Sequence, residues 1–157
     1  MKIKLYLFSV IMMLAMSSCL KDEYVDPTVQ AGKDEAIIVK FIADNKIVAT
    51  KHSSGVYYQI IQSGSGNITY TTNTTVTAHY TGRLTSGQIF DKSSTQPLSF
   101  KLGQVIVGWQ IGVPLIQKGG KIRLFIPSGY AYGSQGSGAI PPNSVLDFDI
   151  ELVDVQN

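Results

Sequence analysis

Cysteine occurs once in this chain of 157 residues, at position 19, so no internal disulfide can hold the fold together. Histidine occurs twice, as His52 and His79, far apart in sequence and outside any cluster with metal-ligand spacing, so no metal is expected. Charged residues are scarce, at 15%. The formal balance of +2 includes Lys2 and Lys4; the rest of the chain carries eleven basic and eleven acidic residues. A balance of zero offers no electrostatic basis for binding nucleic acid. The glycine-rich GSQGSG at 133–138 has neither the lysine nor the following helix of a phosphate loop. Asp147, Asp149 and Glu151 share one face of a strand, which reads as a wet sheet face, because cation sites draw their ligands from loops. No segment recurs at a fixed period, which excludes repeat folds. The one long apolar run, Leu5 to Met16, is too short to span a bilayer.

What is present fits one domain: hydrophobic residues make up 44% of a length that buries a single core. Met1 to Ser18 has a short basic start, an apolar run and then small residues, the order of a secretory signal. Met16-Ser17-Ser18-Cys19 resembles a bacterial lipobox, with Met where Leu is usual. The resemblance implies acylation of Cys19 and attachment to a membrane through that lipid anchor, firm only with more than one acyl chain. Lys21, Asp22 and Glu23 resemble the signal that sends some Gram-negative lipoproteins to the outer face of the outer membrane; a solvated tether is the plainer reading. The expectation is an outer-membrane lipoprotein, surface-exposed or periplasm-facing.

The polar segment 19–32 contains Pro27 and lacks periodicity, so it reads as tether. Between Asp34 and Lys46, the residues Ile37, Ile38, Phe41 and Ile42 draw an apolar stripe on a helix of about three turns. Asp34 and Glu35 then fall in its first turn, where the helix dipole favours negative charge. With its linker this helix occupies 33–52, and it either packs on its own domain or mediates a homodimer. Ser53-Ser54-Gly55 opens the main domain, 53–157. Strands are expected from Val56 (VYYQIIQ), over Thr74–Thr81, Gln88–Asp91 and Leu98–Leu102, and in the two halves of Gly119–Leu152. In that last stretch Ile122, Leu124 and Ile126 alternate with Lys121, Arg123 and Phe125, and Leu146, Phe148, Ile150 and Leu152 alternate with the three acids. Ile106–Ile116 is the second helix, with Trp109, Val113 and Ile116 on one face and Pro114 in its first turn or at a distortion. The fold class is α+β: an antiparallel sheet of about five or six strands wrapped around one short helix, plus the N-terminal helix.

The pieces AHYTGRLTSGQIFDKS (78–93), PLSFKLG (97–103), VIVGWQIGV (105–113) and the AYG and IPP of the loop 127–145 occur in one order. In that order and at those spacings the chain resembles the FKBP-type peptidyl-prolyl cis–trans isomerases from about Tyr58 to Val155. The resemblance implies a pocket for a prolyl ring. Trp109 forms its floor; Tyr80, Phe90, Val105, Ile106 and Phe148 are walls; Tyr132 and Ile140 come from the long loop. It further implies that the Tyr132 hydroxyl and the Ile106 backbone N–H bind substrate carbonyls and that Asp91 hydrogen-bonds at the pocket edge. Leu98 and Phe100 flank the substrate. Two positions depart from the family: Leu98 stands where Phe is frequent, and small residues follow Tyr132 where a bulkier one often overhangs. The implied partners are Xaa-Pro segments of folding proteins and macrolides of the FK506 or rapamycin type; no cofactor is implied.

These residue types suit that reaction. Rotation about a peptide bond meets a barrier of about 18–20 kcal/mol. In the twisted transition state the amide loses its charge separation, so a dry aromatic pocket binds it better than the planar forms. A million-fold acceleration needs roughly 8 kcal/mol of such preference and no nucleophile. The alternatives are a Pro-peptide-binding chaperone or holdase with little turnover, and an accessory subunit of a surface assembly that keeps the fold as scaffold.

Overall fold

The computed structural model describes residues 26–157. The signal, Cys19 and the Lys21–Glu23 segment lie outside the described residues. Helix α1 spans Pro27–Asp44. Strands follow at Thr50–Lys51 (β1), Tyr57–Gln62 (β2), Thr75–Leu84 (β3), Ile89–Lys92 (β4) and Leu98–Lys101 (β5). Helix α2, Val107–Gly112, runs into a 3-10 turn at Val113–Leu115, and β6 (Lys121–Ile126) and β7 (Leu146–Gln156) complete the chain. The described strands form one antiparallel sheet of seven in the order β1-β2-β6-β7-β3-β4, with β5 also on β3. The count exceeds the expected five or six because the two-residue β1 extends the β2 edge.

Two alternating patterns meet at the centre. β7 pairs with β6 on one side and β3 on the other, with Phe148 opposite both Leu124 and Gly82. The face carrying Val76, Ala78, Tyr80, Ile122, Leu124, Ile126, Leu146, Phe148, Ile150 and Leu152 is buried under α2. Trp109, Val113 and Ile116 of the second helical segment are 4%, 0% and 1% exposed, which places their shared face in the core. Pro114 is accommodated as a distortion, because the α-helix tightens to 3-10 at Val113. Gly108 and Gly112 lie one turn apart where α2 meets β6; a Cβ on either would overlap the Ile126 or Leu124 side chain. The helix therefore rests directly on the sheet.

The opposite sheet face is less wet than its sequence suggests. Phe125 is fully buried with Ile38 and Val145, and Phe41 packs on its ring at 5.9 Å. Asp147 is 2% exposed, because Arg123 covers it with a two-pronged pair at 2.8 Å on each carboxylate oxygen. Arg83 pairs with Asp149 at 2.6 Å and Lys121 with Glu151 at 3.1 Å. The three acids thus belong to an ion-pair ladder whose cations come from β3 and β6.

Helix α1 differs from expectation at its start. It begins at Pro27, so residues 27–32, read as tether, are helical. Asp26 caps it by accepting the Thr28 N–H at 2.8 Å, and Pro27 occupies the first turn, where its missing N–H costs nothing. Asp34 and Glu35 consequently lie well inside the helix and serve tertiary contacts instead of its dipole. Glu35 accepts from Tyr57 at 2.9 Å and pairs with Lys51; the Lys51 ammonium, then the Tyr57 hydroxyl, hold its carboxyl below the ordinary range. The inward stripe is Asp34 and Ile38, both buried, with Phe41 and Ile42 half-buried beside them, whereas Ile37 is 42% exposed on another face. This stripe is spent against the helix's own domain.

Replacing Phe125 with Ala should cost about 3–5 kcal/mol, the range for deleting a buried aromatic. Urea unfolding checks the total, and amide exchange along α1 should show that the helix loses protection before the sheet does.

Candidate active site

Five aromatic rings converge where α2 crosses the sheet. Trp109 is surrounded edge-on by Tyr80, Phe148 and Phe100, with ring centres 5.4, 5.5 and 5.8 Å away. Phe100 also meets Tyr80 at 5.8 Å, and Phe90 stands perpendicular to Phe148 at 5.5 Å. Edge-to-face contacts of this sort exceed plain area burial by about 0.5–1.5 kcal/mol each. Val105, Ile106, Phe90 and Phe100 are partly exposed against this cluster, and Ile140 closes it from the long loop at 7% exposure. Ile140 is fixed by paired backbone hydrogen bonds with Ser137 at 2.8 and 2.9 Å. The Trp109 Nε1–H is buried without a hydrogen-bond partner among the described residues. Such an orphan costs about 1–3 kcal/mol, which ordinary core positions avoid.

One polar edge adjoins the rings. The Tyr80 hydroxyl donates to Asp91 Oδ2 at 2.7 Å. Burial, then this hydrogen bond and the Asp91 charge, push the hydroxyl far above its ordinary value, so it stays protonated. Tyr132 is 38% exposed; partial burial, then the charge of Asp91, raise its hydroxyl too. Ile106 is the N-cap of α2, a position whose N–H precedes the first intrahelical bond. Ser93 ties the turn after β4 to β3, its Oγ accepting the Tyr80 N–H at 3.0 Å.

Chemistry and volume do not coincide. A cavity of about 770 Å³ lies between α1 and the turn at Pro127–Tyr130, lined by residues that include Gln30, Asp34 and Lys51 but none of the five rings. The ring cluster is the candidate site because it combines desolvated aromatic surface with an adjoining hydrogen-bonding edge. Among the described residues no group of three His, Cys, Asp or Glu side chains could hold a metal ion.

The sequence family described as FKBP-type peptidyl-prolyl cis-trans isomerase matches residues 66–153, more than half of the chain. The chain belongs to this family. A probable FKBP-type isomerase of Haemophilus influenzae is 48% identical over 116 residues, covering 72% of this chain and 47% of that protein. The isomerase FkpA of Escherichia coli is 39% identical, covering 90% of this chain and 60% of the relative. The chain thus spans about half the length of the curated relatives it matches. Among solved structures, a peptidyl-prolyl isomerase from Pseudomonas syringae superimposes with a TM-score of 0.68 at 38% identity, covering 85% of this chain and 98% of that one. FkpA from Escherichia coli gives 0.66 at 38% identity, covering 98% and 82%.

Within this FKBP frame, Leu98 and Phe100 part company. Leu98 lies on β5 opposite Ala78 and is 42% exposed, at the rim. Phe100, set beside it by sequence as flanking, reaches Trp109 and Tyr80 and is part of the ring cluster. Sequence reasoning also passed over Gly82. A Cβ there would sit 2.6 Å from both Phe90 Cζ and Phe148 Cε1, so the perpendicular pair of rings requires glycine beneath it. The signal was present, as the glycine that closes HYTG. Gly82→Ala should displace Phe90 and lower kcat/KM for prolyl peptides by about tenfold or more while the chain still folds. Peptide turnover with circular dichroism alongside checks both halves of that statement.

Proposed function

We propose that the chain is a peptidyl-prolyl cis–trans isomerase that assists folding of extracytoplasmic proteins, with Xaa-Pro segments as substrates. The observation that carries this reading is the ring of aromatic edges around Trp109 beside the hydrogen-bonded Tyr80–Asp91 pair. The prolyl ring rests on Trp109, between Tyr80, Phe90, Phe148, Val105 and Ile106, with Ile140 above. The Ile106 N–H and the Tyr132 hydroxyl take the flanking carbonyls and hold the peptide while its amide twists. Asp91 works through Tyr80, whose hydroxyl it fixes. The site acts by differential binding: its apolar interior favours the less polar twisted amide over either planar isomer. Macrolides of the FK506 or rapamycin type, which carry a ring in place of proline, fit the same chemistry. Exposed Leu98 supports a rim that is smaller and less selective toward the residue before proline.

We further propose acylation at Cys19 and anchoring to the outer membrane, on its surface or its periplasmic face, supported by the Met16–Cys19 motif. A Cys19→Ser variant should lose acylation and leave the membrane fraction; retention there would overturn the anchor.

The direct test of activity is cis-to-trans isomerisation of Xaa-Pro tetrapeptides by Leu20–Asn157, with several residues before proline. Rapid turnover is expected, inhibited by macrolide. Trp109→Ala should remove most of it, roughly a hundredfold in kcat/KM. Unchanged turnover in that variant rejects the site. A folded protein that captures Pro-peptides without turning them over replaces the isomerase with a holdase.

A further inference from the structure

Asp34 is 1% exposed, lies in α1, and has no place in the proposed prolyl site. Its carboxylate is nevertheless fully engaged. Oδ1 accepts from Gln30 Nε2 at 2.7 Å, and Oδ2 accepts from both the backbone N–H and the hydroxyl of Ser128, at 2.7 and 2.6 Å. Ser128, also 1% exposed, starts the 3-10 turn Ser128–Tyr130 that follows β6. Its carbonyl accepts from the N–H groups of Ala131 and Gly133, at 3.0 and 2.9 Å. Those two peptides bracket Tyr132. Gly133, at φ +57°, returns its own carbonyl to the Asn143 N–H at 2.8 Å, which closes the base of the long loop. A continuous path of short hydrogen bonds therefore leads from α1 to the backbone on both sides of Tyr132.

We propose that Asp34 is a positioning residue for Tyr132: the helix that precedes the sheet domain sets, through Ser128, where the loop presents its substrate-binding hydroxyl. This rests on the reading of the site as an isomerase. The physical grounds are geometric. Burying a carboxylate is costly unless its hydrogen bonds are satisfied. Hydrogen bonds to a charged acceptor are the stronger kind, and here two of them meet one turn residue. A plain helix-to-domain contact would be served by the apolar stripe of Ile38, Phe41 and Ile42, which already holds α1 in place. Asp34 instead grips the turn residue whose carbonyl receives both N–H groups that flank Tyr132.

The test compares Asp34→Ala, Asp34→Asn and Ser128→Ala with Ile38→Ala, which loosens the same helix without touching Ser128. All are assayed as Leu20–Asn157 at a temperature where each is folded. Asp34→Ala should raise KM for Xaa-Pro peptides about tenfold with kcat nearly kept, because Tyr132 binds rather than reacts. Asp34→Asn should recover most of the loss and Ser128→Ala should show a smaller one, while Ile38→Ala lowers stability with KM unmoved. Amide exchange at Ala131 and Gly133 should quicken in Asp34→Ala and not in Ile38→Ala. Equal KM shifts for Asp34→Ala and Ile38→Ala, or unchanged loop exchange in Asp34→Ala, overturn the proposal. If Asp34→Ala fails to fold, the Ser128→Ala comparison decides in its place. A parent protein without turnover sinks the isomerase reading instead, and the exchange data then judge the Asp34–loop link separately.

Discussion

The close contact between α2 and β6 is the constraint on which the site depends. Gly108 and Gly112 have no Cβ to hold the helix off the sheet, so it settles onto Ile126 and Leu124. That depth places Trp109 at the level of Tyr80, Phe100 and Phe148 and lets three ring edges meet it at once. A helix standing a methyl group higher would leave voids between the rings, and water or rearranged side chains would fill them. Gly82 does the same from the other side by leaving room for Phe90 against Phe148. The aromatic surface is thus shaped by three residues that contribute no side chain to it.

Much of this was legible in the sequence, and the reasons are physical. Period-two alternation in β6 and β7 marked the faces that pack under α2, because a strand has only two sides. The ordered motifs pointed to Tyr80, Phe90, Asp91 and Trp109, and the structure joins these through Phe148 and the Tyr80–Asp91 hydrogen bond. What escaped was whatever depended on a distant partner. Asp147 read as solvent-facing because nothing local shows that Arg123 and Arg83 lie across the sheet from it. Phe125 sits on the nominally wet side, and α1, more than eighty residues away in sequence, joins Val145 and Tyr57 in making that position dry.

The N-terminal helix is the instructive case. Asp26-Pro27 is a start signal, a capping side chain followed by a proline at the first turn, yet the aperiodic run TVQAG, which ends in Gly32, hid the helix that follows. With the start misplaced by two turns, Asp34 looked like a dipole partner. Its partner is Ser128, ninety-four positions on. Apolar periodicity reveals a helix through the face it buries in bulk; a single buried carboxylate on that face leaves no periodic trace.

The last strand of the sequence lies in the middle of the sheet. β7 separates β3 from β6, and neither of those strands pairs with the other. Without residues 146–156 the chain has two partial sheets with no shared hydrogen bonds and a helix with only half a floor to rest on. Such a precursor gains little from early collapse, because its pairings of greatest sequence separation come last. The fold is thereby weighted toward all-or-none closure once β7 is in place.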